Sequence, residues 1–301
     1  MDVLFDTSAL SNLLEQRAPH RFAALFLRAF PSGRVLVPLE ALAERSSQVN
    51  ISVVEGRVRA LSKLATALKE SFAISPGGTE VVRELEHAGA LVRAPVLAQR
   101  EQDEILDHYA SEGFSKTHPP VARRLREGLR KDNAAAMLAK LKAAIAQRIP
   151  TRPTPAELDE YMADFCARLF KPDGHFLRLV AVDAQHAEAI RTCPSGYPAA
   201  TTLIGYSEFH FISAAFRGMS HGAHTEVLGK PSANDLVDAT IAAAAAHSEL
   251  LITDDRAMRA RVNALGEMFD LPTRAQTLET FMAHLEANQH AGFAWLTRRC
   301  T

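Results

Sequence analysis

Short apolar runs and longer amphipathic stretches alternate near the N-terminus. The runs VLF at 3–5 and RVLVP at 34–38 are too short for helices and are bounded by polar or turn-forming residues, so each predicts a buried strand. A helical pattern follows each run, and the first has Leu10, Leu13 and Leu14 on one side. Two strand–helix units within about 50 residues predict a parallel sheet.

The pattern changes between residues 51 and 230, where apolar residues recur at helical spacing. The segments HPP, IPTRPTP and KPDG separate the stretches, and TLIGYSEFHFISAAFRGMSHG predicts a mostly buried helix. This part of the chain therefore predicts a mainly helical unit. The other amphipathic segments are VEGRVRALSKLATALKESF, EQDEILDHYASEG, PPVARRLREGLRKDN, AAAMLAKLKAAIAQRI and PAELDEYMADFCARLF.

The first pattern returns near the C-terminus. PSANDLVDATIAAAAAHS predicts a helix capped by Ser232 or Asn234, and ELLITDD predicts a short strand. RAMRARVNAL predicts a helix, EMFDLPT a last strand and TLETFMAHLEA a final helix. The whole pattern predicts an α/β fold. Residues 1–50 and 231–301 would form its parallel sheet, interrupted by a helical insertion over residues 51–230.

Composition and charge narrow the class of protein. Hydrophobic residues make up 47% and charged residues 23% of the 301 residues, and the formal net charge is −1, as is common for a globular protein. Cys166, Cys193 and Cys300 include no CxxC motif, which argues against a disulfide framework and favours a reducing cytoplasm. No signal-peptide pattern is present, and the longest apolar stretch, ATIAAAAA, is too short to span a membrane.

An acidic residue ends the first predicted strand. Asp6 follows the run VLF, and Thr7 or Ser8 directly after it is expected to cap the next helix. A carboxylate at the carboxyl end of a strand lies where ligands bind in open α/β sheets. An ordinary strand-to-helix turn explains Asp6 equally well, so acidic partners elsewhere in the chain decide between the two interpretations.

The C-terminal strand repeats this arrangement. Thr253, Asp254 and Asp255 follow the run LLI, so two strands of one sheet would end in Thr and Asp at the same edge. The preceding helix adds Asp235 and Asp238, which are three residues apart and therefore on one helical face. These two aspartates could instead be favourable charges in the first turn of that helix.

The helix after the second strand carries two more carboxylates, Glu40 and Glu44. Carboxylates crowded at one sheet edge repel one another and raise their pKa values unless cations hold them together. Mg²⁺ and Mn²⁺ prefer such oxygen ligands, with water and substrate phosphate completing the coordination. A site of this kind suits phosphodiester hydrolysis, because the metals stabilise both the attacking and the leaving oxygen.

Four acidic segments, in this order, resemble the motifs of the PIN-domain family: VLFDTSAL, VPLEALAE, NDLVDATIAAAAA and LLITDDRAM. The resemblance covers residues 1–48 and 231–285. It implies a Rossmann-like α/β/α fold and a metal-dependent ribonuclease that uses Mg²⁺ or Mn²⁺. The family includes RNA-processing nucleases and the toxins of toxin–antitoxin modules, so RNA and an antitoxin protein are the implied partners.

The resemblance assigns roles to particular residues. It implies that Thr7, Ser8 and Thr253 orient carboxylates or metal-bound water. The implied catalytic and metal-binding residues are Asp6; Glu44, in preference to Glu40; Asp238, with Asp235 as an alternative or auxiliary ligand; and Asp255, in preference to Asp254.

Several alternatives stay open at this level. The long central segment departs from the compact toxins of the family, so a processing nuclease and a toxin both remain candidates. The same site could act on DNA, or the chain could be a catalytically weak module that binds RNA or an antitoxin. A homo-oligomer is also compatible with the sequence.

Basic residues concentrate in one part of the predicted insertion. Residues 116–152 contain ten Lys and Arg residues and only two acidic residues. This stretch could be a solvated helix surface that pairs with the acidic remainder of the chain. It could also be a phosphate-contact surface that brings a polyanion toward the acidic site. The predicted nucleic-acid contacts are Arg123, Arg124, Arg126 and Arg130.

Overall fold

A computed structural model gives the fold of most of the chain. Its strands are β1 (Asp2–Phe5), β2 (Arg34–Pro38), β3 (Phe72–Ser75), β4 (Leu250–Ile252) and β5 (Arg274–Gln276). The residues that the structure describes are 1–16, 19–46, 51–77, 79–89, 93–111, 154–171, 177, 183–229 and 235–287.

Helices connect the strands and account for most of the described residues. No helix in these ranges is long and apolar enough to cross a membrane. The helices are α1 (Thr7–Gln16), α2 (Pro19–Ala29), α3 (Leu39–Ser46), α4 (Ile51–Leu68), α5 (Thr79–Glu86), α6 (Gln99–Ser111), α7 (Pro155–Ala163), α8 (Phe165–Leu169), α9 (Ala184–Thr192), α10 (Pro198–Ala215), α11 (Thr225–Leu228), α12 (Asp235–Ala245), α13 (Arg256–Met268) and α14 (Leu278–Ala287).

The five strands form one parallel sheet in the order β3-β2-β1-β4-β5. Successive side chains of a strand point to opposite faces, so each strand supplies two cores. Leu4, Leu36 and Leu251 lie in one core, and Val3 and Ile252 lie in the other. Helices α1, α2, α4 and α14 cover the second core, while α5, α10, α12 and α13 cover the first. The predicted α/β class with a parallel sheet is confirmed, and these layers are compatible with a Rossmann-like fold.

The central segment contributes a strand that the sequence pattern did not predict. The segment ending in LKESF was predicted to be one helix, but α4 ends at Leu68 and a 3₁₀ turn leads directly into β3. Within that turn, Lys69 has a φ of 52°. A four-residue apolar run next to an amphipathic helix shares its apolar spacing, so periodicity alone does not separate the two. The expectation that residues 51–230 lie outside the sheet is therefore wrong at β3.

The central segment also shares the core that covers the sheet. Helix α10 packs against α12 and α13, which belong to the C-terminal segment. Gly205 permits this close approach, because a Cβ there would lie 2.3 Å from Leu265 Cδ2. The division of the chain into domains at residues 50 and 230 stays a prediction.

The last strand lies later in the chain than predicted. EMFDLPT was expected to form it, but its first two residues end α13 and Phe269 begins a turn. The strand is β5, in which Ala275 pairs with Leu251. Its sequence, RAQ, has only one apolar residue, so no hydrophobic run marks it.

The burial of β3 generates a test of this architecture. Ile74 is fully buried within β3, whereas Val82 on the following helix is 50% exposed. We expect Ile74→Ala to lower the free energy of unfolding by about 2–5 kcal/mol, the usual cost of a truncated core side chain. Val82→Ala should change it by less than about 0.5 kcal/mol. Urea unfolding of both variants would measure the difference, and equal effects would contradict the placement of β3 in the core.

Candidate metal centre

The middle of the sheet is where the strand order reverses. The chain passes from β1 outward to β2 and β3 and returns to β4 on the other side of β1. Ligands of open α/β sheets bind at such a point, outside the carboxyl ends of the strands. Phe5 pairs with Ile252, and the Asp6 amide donates a 3.0 Å hydrogen bond to the Ile252 carbonyl. Asp6 and Thr253 therefore lie side by side, directly after the ends of two neighbouring strands.

Asp6 is buried and caps α1. Its carboxylate accepts hydrogen bonds from the Ala9 amide at 2.7 Å, the Ser8 hydroxyl at 2.9 Å and the Thr253 hydroxyl at 2.7 Å. The expectation that Thr7 or Ser8 is the cap is wrong, because the helix already begins at Thr7 and Asp6 occupies the capping position. Burial raises the pKa of Asp6 to about 6, although these three donors lower it.

The same hydroxyls connect the two strand ends. Ser8 Oγ donates to Asp6 and accepts a hydrogen bond from the Asp254 amide at 3.1 Å. Thr253 Oγ1 donates to Asp6 and accepts from the Asp255 amide at 3.1 Å. The turn after β4 is thereby held against the turn after β1.

Glu44, rather than Glu40, faces the end of β1. Glu44 is half-buried, and its carboxylate accepts a 2.6 Å hydrogen bond from the Thr7 hydroxyl. Glu40 is buried against Gly77, where the backbone has a φ of +71° and a Cβ would lie 2.0 Å from Glu40 Oε2. Only a glycine permits this contact, which directs Glu40 toward the turn after β3.

Asp238 lies where the other carboxylates converge. It is half-buried in the first turn of α12. Burial raises its pKa to about 8, assisted by the negative charges of Asp235, Asp255, Glu44 and Asp6. The structure therefore brings together the acidic residues that the sequence selected from four separate segments.

Asp235 has a different environment from Asp238. Its carboxylate forms a short hydrogen bond with His210 Nδ1 and an ion pair with Arg261, whose Nη1 lies 3.4 Å from Asp235 Oδ2. All three side chains are buried. The carboxylate of Asp235 is thus already paired with the guanidinium of Arg261 and bonded to the imidazole of His210.

The two aspartates after β4 point to different partners. Asp255 caps α13 by accepting a 2.7 Å hydrogen bond from the Met258 amide, and its charge raises the pKa of Asp238. Asp254 accepts hydrogen bonds from Asn12 Nδ2 at 2.6 Å and from the Leu278 amide at 3.1 Å. Asp255 is therefore the residue of this pair that shares the surroundings of Asp238.

The donors of the cluster suit a hard divalent cation. Asp6, Glu44, Asp238 and Asp255 offer carboxylate oxygens, and burial, together with the charges of Asp235 and the other three acids, raises the pKa of Asp238. No group of three or more His, Cys, Asp or Glu side chains in the described part of the chain is arranged to hold a metal ion.

Some predicted residues lie outside the part of the chain that the structure describes. They include the helix caps Ser232 and Asn234. The basic residues Arg123, Arg124, Arg126 and Arg130 are also among them.

Sequence reasoning placed neither His210 nor Arg261 beside the acidic cluster. The segment FHF gave a signal for His210, because it places a polar residue inside an otherwise apolar helix. RAMRARVNAL gave none for Arg261, because three arginines in one amphipathic helix have the same appearance in the sequence. Only the packing of α13 against α10 distinguishes the buried one.

No family model, curated protein or solved structure matches this chain. The functional argument therefore depends on the order of the acidic motifs and on the geometry of this cluster.

The raised pKa of Asp238 predicts a pH dependence of stability. In the metal-free protein, the Asp238 carboxyl keeps its proton up to about pH 8 when folded but ionises near pH 3.8 when unfolded. Stability should therefore fall as the pH rises from about 4 to 8. Asp238→Asn should flatten this decline and raise the free energy of unfolding at pH 8 by about 1–2 kcal/mol, after allowance for partial exposure.

Chemical denaturation in EDTA at pH 5 and pH 8 would measure this effect. Asp107→Asn is the matched control, since Asp107 is exposed on α6. Parallel pH profiles for the wild type and Asp238→Asn would contradict the crowding of carboxylates around Asp238.

Proposed function

We propose that the chain is a PIN-domain endoribonuclease that hydrolyses RNA phosphodiester bonds at a carboxylate-bound Mg²⁺ or Mn²⁺ site. The observation that supports this proposal is the convergence of Asp6, Glu44, Asp238 and Asp255 at the point where the strand order reverses. These residues come from four acidic motifs that are far apart in the sequence. A purely structural role does not explain why four acids should be placed where their charges repel one another.

The order of the motifs supports the family proposal. The first and last motifs follow the adjacent parallel strands β1 and β4, the second lies on the helix after β2, and the third opens the helix before β4. The carboxyl edge of the sheet therefore collects all four, as the resemblance to PIN domains requires.

The chemistry of the site follows from its charges and its hydrogen bonds. When bound, a divalent cation would lower the pKa of a water molecule and stabilise the charge on the attacking and leaving oxygens. The four carboxylates would supply the negative charge that holds it. Ser8 and Thr253 orient Asp6, and Thr7 orients Glu44, so these hydroxyls keep the carboxylates in place. No side chain of the chain needs to form a covalent bond with the substrate.

RNA as the substrate rests on the resemblance and on the charge of the central segment. In this proposal, the basic residues between Lys116 and Arg152 bind the phosphate backbone and offset the repulsion between the polyanion and the acidic site. An antitoxin protein is a proposed partner only if the chain acts as a toxin.

Removing one ligand tests the proposed site. Asp6→Asn keeps a good helix cap but loses a charged metal ligand, so RNA cleavage in Mn²⁺ should fall by at least about 100-fold, more than the loss typical of supporting residues. Glu44→Gln should lower RNA cleavage to a similar extent. Glu40→Gln, one helical turn away, should lose much less, because Glu40 faces Gly77. Labelled RNA, with circular dichroism to verify folding, would measure these effects.

The same assay separates the rival functions. EDTA should abolish cleavage by the wild-type protein, and labelled DNA should remain intact. Cleavage of DNA in preference to RNA would assign the site to a different nuclease. RNA binding without cleavage would identify a binding module, and full activity of folded Asp6→Asn would refute the nuclease proposal in this form.

The proposed backbone contacts generate a separate test. Replacing Arg123, Arg124, Arg126 and Arg130 with Glu should weaken RNA binding and flatten its salt dependence. If each residue contacts one phosphate of single-stranded RNA, the slope of log affinity against log salt should fall in magnitude by about 3. Filter binding between 50 and 200 mM salt would measure it. An unchanged slope would show that these arginines do not contact RNA.

A further inference from the structure

Arg261 is a fully buried cation beside the acidic cluster. Its side chain is 1% exposed and lies on α13, the helix that Asp255 caps. Its Nη1 is 3.4 Å from Asp235 Oδ2, and its guanidinium lies 4.9 Å from the centre of the Tyr206 ring. A buried guanidinium is costly unless it is paired and hydrogen-bonded, so this contact set defines one position for the side chain.

The other nitrogens of Arg261 bind backbone carbonyls. Nε donates to the Val227 carbonyl and Nη2 to the Leu228 carbonyl, both at 2.8 Å. Val227 and Leu228 end α11, and Asp235 begins α12. One guanidinium therefore joins the segments on both sides of residues 230–234.

One face of α10 completes this arrangement. Tyr206, His210 and Ser213 are spaced four and three residues apart, which places them on the same side of the helix. His210 binds Asp235, and Ser213 forms a short hydrogen bond with the Leu228 carbonyl. Side chains of α10 therefore contact the same two groups that Arg261 on α13 contacts, the Asp235 carboxylate and the Leu228 carbonyl.

These contacts separate Asp235 from the other acids. Asp235 pairs with a cation of the chain, whereas Asp6 accepts hydrogen bonds from the Ser8 and Thr253 hydroxyls and Glu44 accepts one from Thr7. Asp238 lies three residues after Asp235, within the first turn of α12. Whatever holds Asp235 therefore sets where Asp238 enters the cluster.

We propose that Arg261 and His210 are positioning residues for the metal centre: they anchor Asp235 as a fixed internal partner and thereby place Asp238 among the metal-binding carboxylates. Asp235 is then an anchor rather than a metal ligand. This inference rests on the proposed function, because it concerns the same cation site.

Two assignments of Asp235 predict opposite results. If Asp235 were a ligand, Arg261 would compete with the cation, and removal of Arg261 would strengthen metal binding. If Arg261 positions α12, its removal weakens binding even when the net charge is preserved. The single variant Arg261→Gln, which keeps Asp235, separates the two assignments. A double variant, Asp235→Asn with Arg261→Gln, preserves the net charge, because it removes one negative and one positive charge together.

The primary measurement is Mn²⁺ binding by calorimetry, with thermal unfolding of the metal-free protein to establish folding. We expect the folded double variant to bind Mn²⁺ about 10–100-fold more weakly than the wild type, the usual loss for residues that orient ligands. Arg261→Lys keeps the positive charge but loses the planar guanidinium with its several donors. Its affinity for Mn²⁺ should therefore lie between those of the wild type and the double variant. In RNA cleavage at fixed Mn²⁺, kcat should fall while KM stays constant, because a buried Arg261 does not touch RNA.

Arg256→Met is the matched control. Arg256 lies on the same helix and pairs with Glu226 on α11, but both side chains are exposed. Its loss should leave Mn²⁺ affinity and kcat unchanged.

The following results would overturn the proposal or the function on which it rests. Wild-type affinity in the folded double variant, or stronger binding in the folded single variant Arg261→Gln, would overturn the proposal. If the double variant does not fold, Arg261→Lys decides, since a folded Arg261→Lys protein with wild-type affinity would overturn it equally. A wild-type protein that binds no Mn²⁺ would instead refute the proposed function, and this inference with it.

Discussion

Mutual repulsion among carboxylates at the carboxyl edge of the sheet is the constraint on which the site depends. Parallel pairing of β1 with β4 places Asp6 beside Thr253, and the helices on either side bring Glu44 and Asp238 to the same point. Repulsion between such groups raises pKa values unless a cation offsets it. Burial raises the pKa of Asp238 and the charges of the neighbouring carboxylates raise it further, and the proposed divalent cation would offset this repulsion.

Two further buried acidic residues, Asp235 and Glu84, have partners within the chain. Asp235 is paired with Arg261, and Glu84 accepts hydrogen bonds from the Ala199 and Ala200 amides at 2.9 and 2.8 Å. Glu84 also lies 2.8 Å from His247, so a buried carboxylate holds the N-terminus of α10 against the C-terminal end of α12. Asp235 and Glu84 are therefore fixed by contacts between helices of the chain itself.

Helix α10 connects these two acidic residues. Glu84 holds its first turn, while His210 and Ser213 farther along contact Asp235 and the end of α11. The central part of the chain therefore supports the candidate site, although it supplies none of the four converging carboxylates. A long segment between the acidic motifs is therefore compatible with a single site at the edge of the sheet, because that segment packs behind the site.

The sequence by itself determined the local elements and the meeting of the acids. Strong apolar runs marked β1, β2 and β4, and strand-end aspartates in a parallel sheet meet at one edge whatever the details of packing. Tertiary structure decided what depends on long-range contacts. It added β3, whose four residues share the apolar spacing of the preceding helix, and it turned Glu40 toward Gly77. It also gave Asp235 a cationic partner, because burial of an arginine is a property of helix packing rather than of helical periodicity.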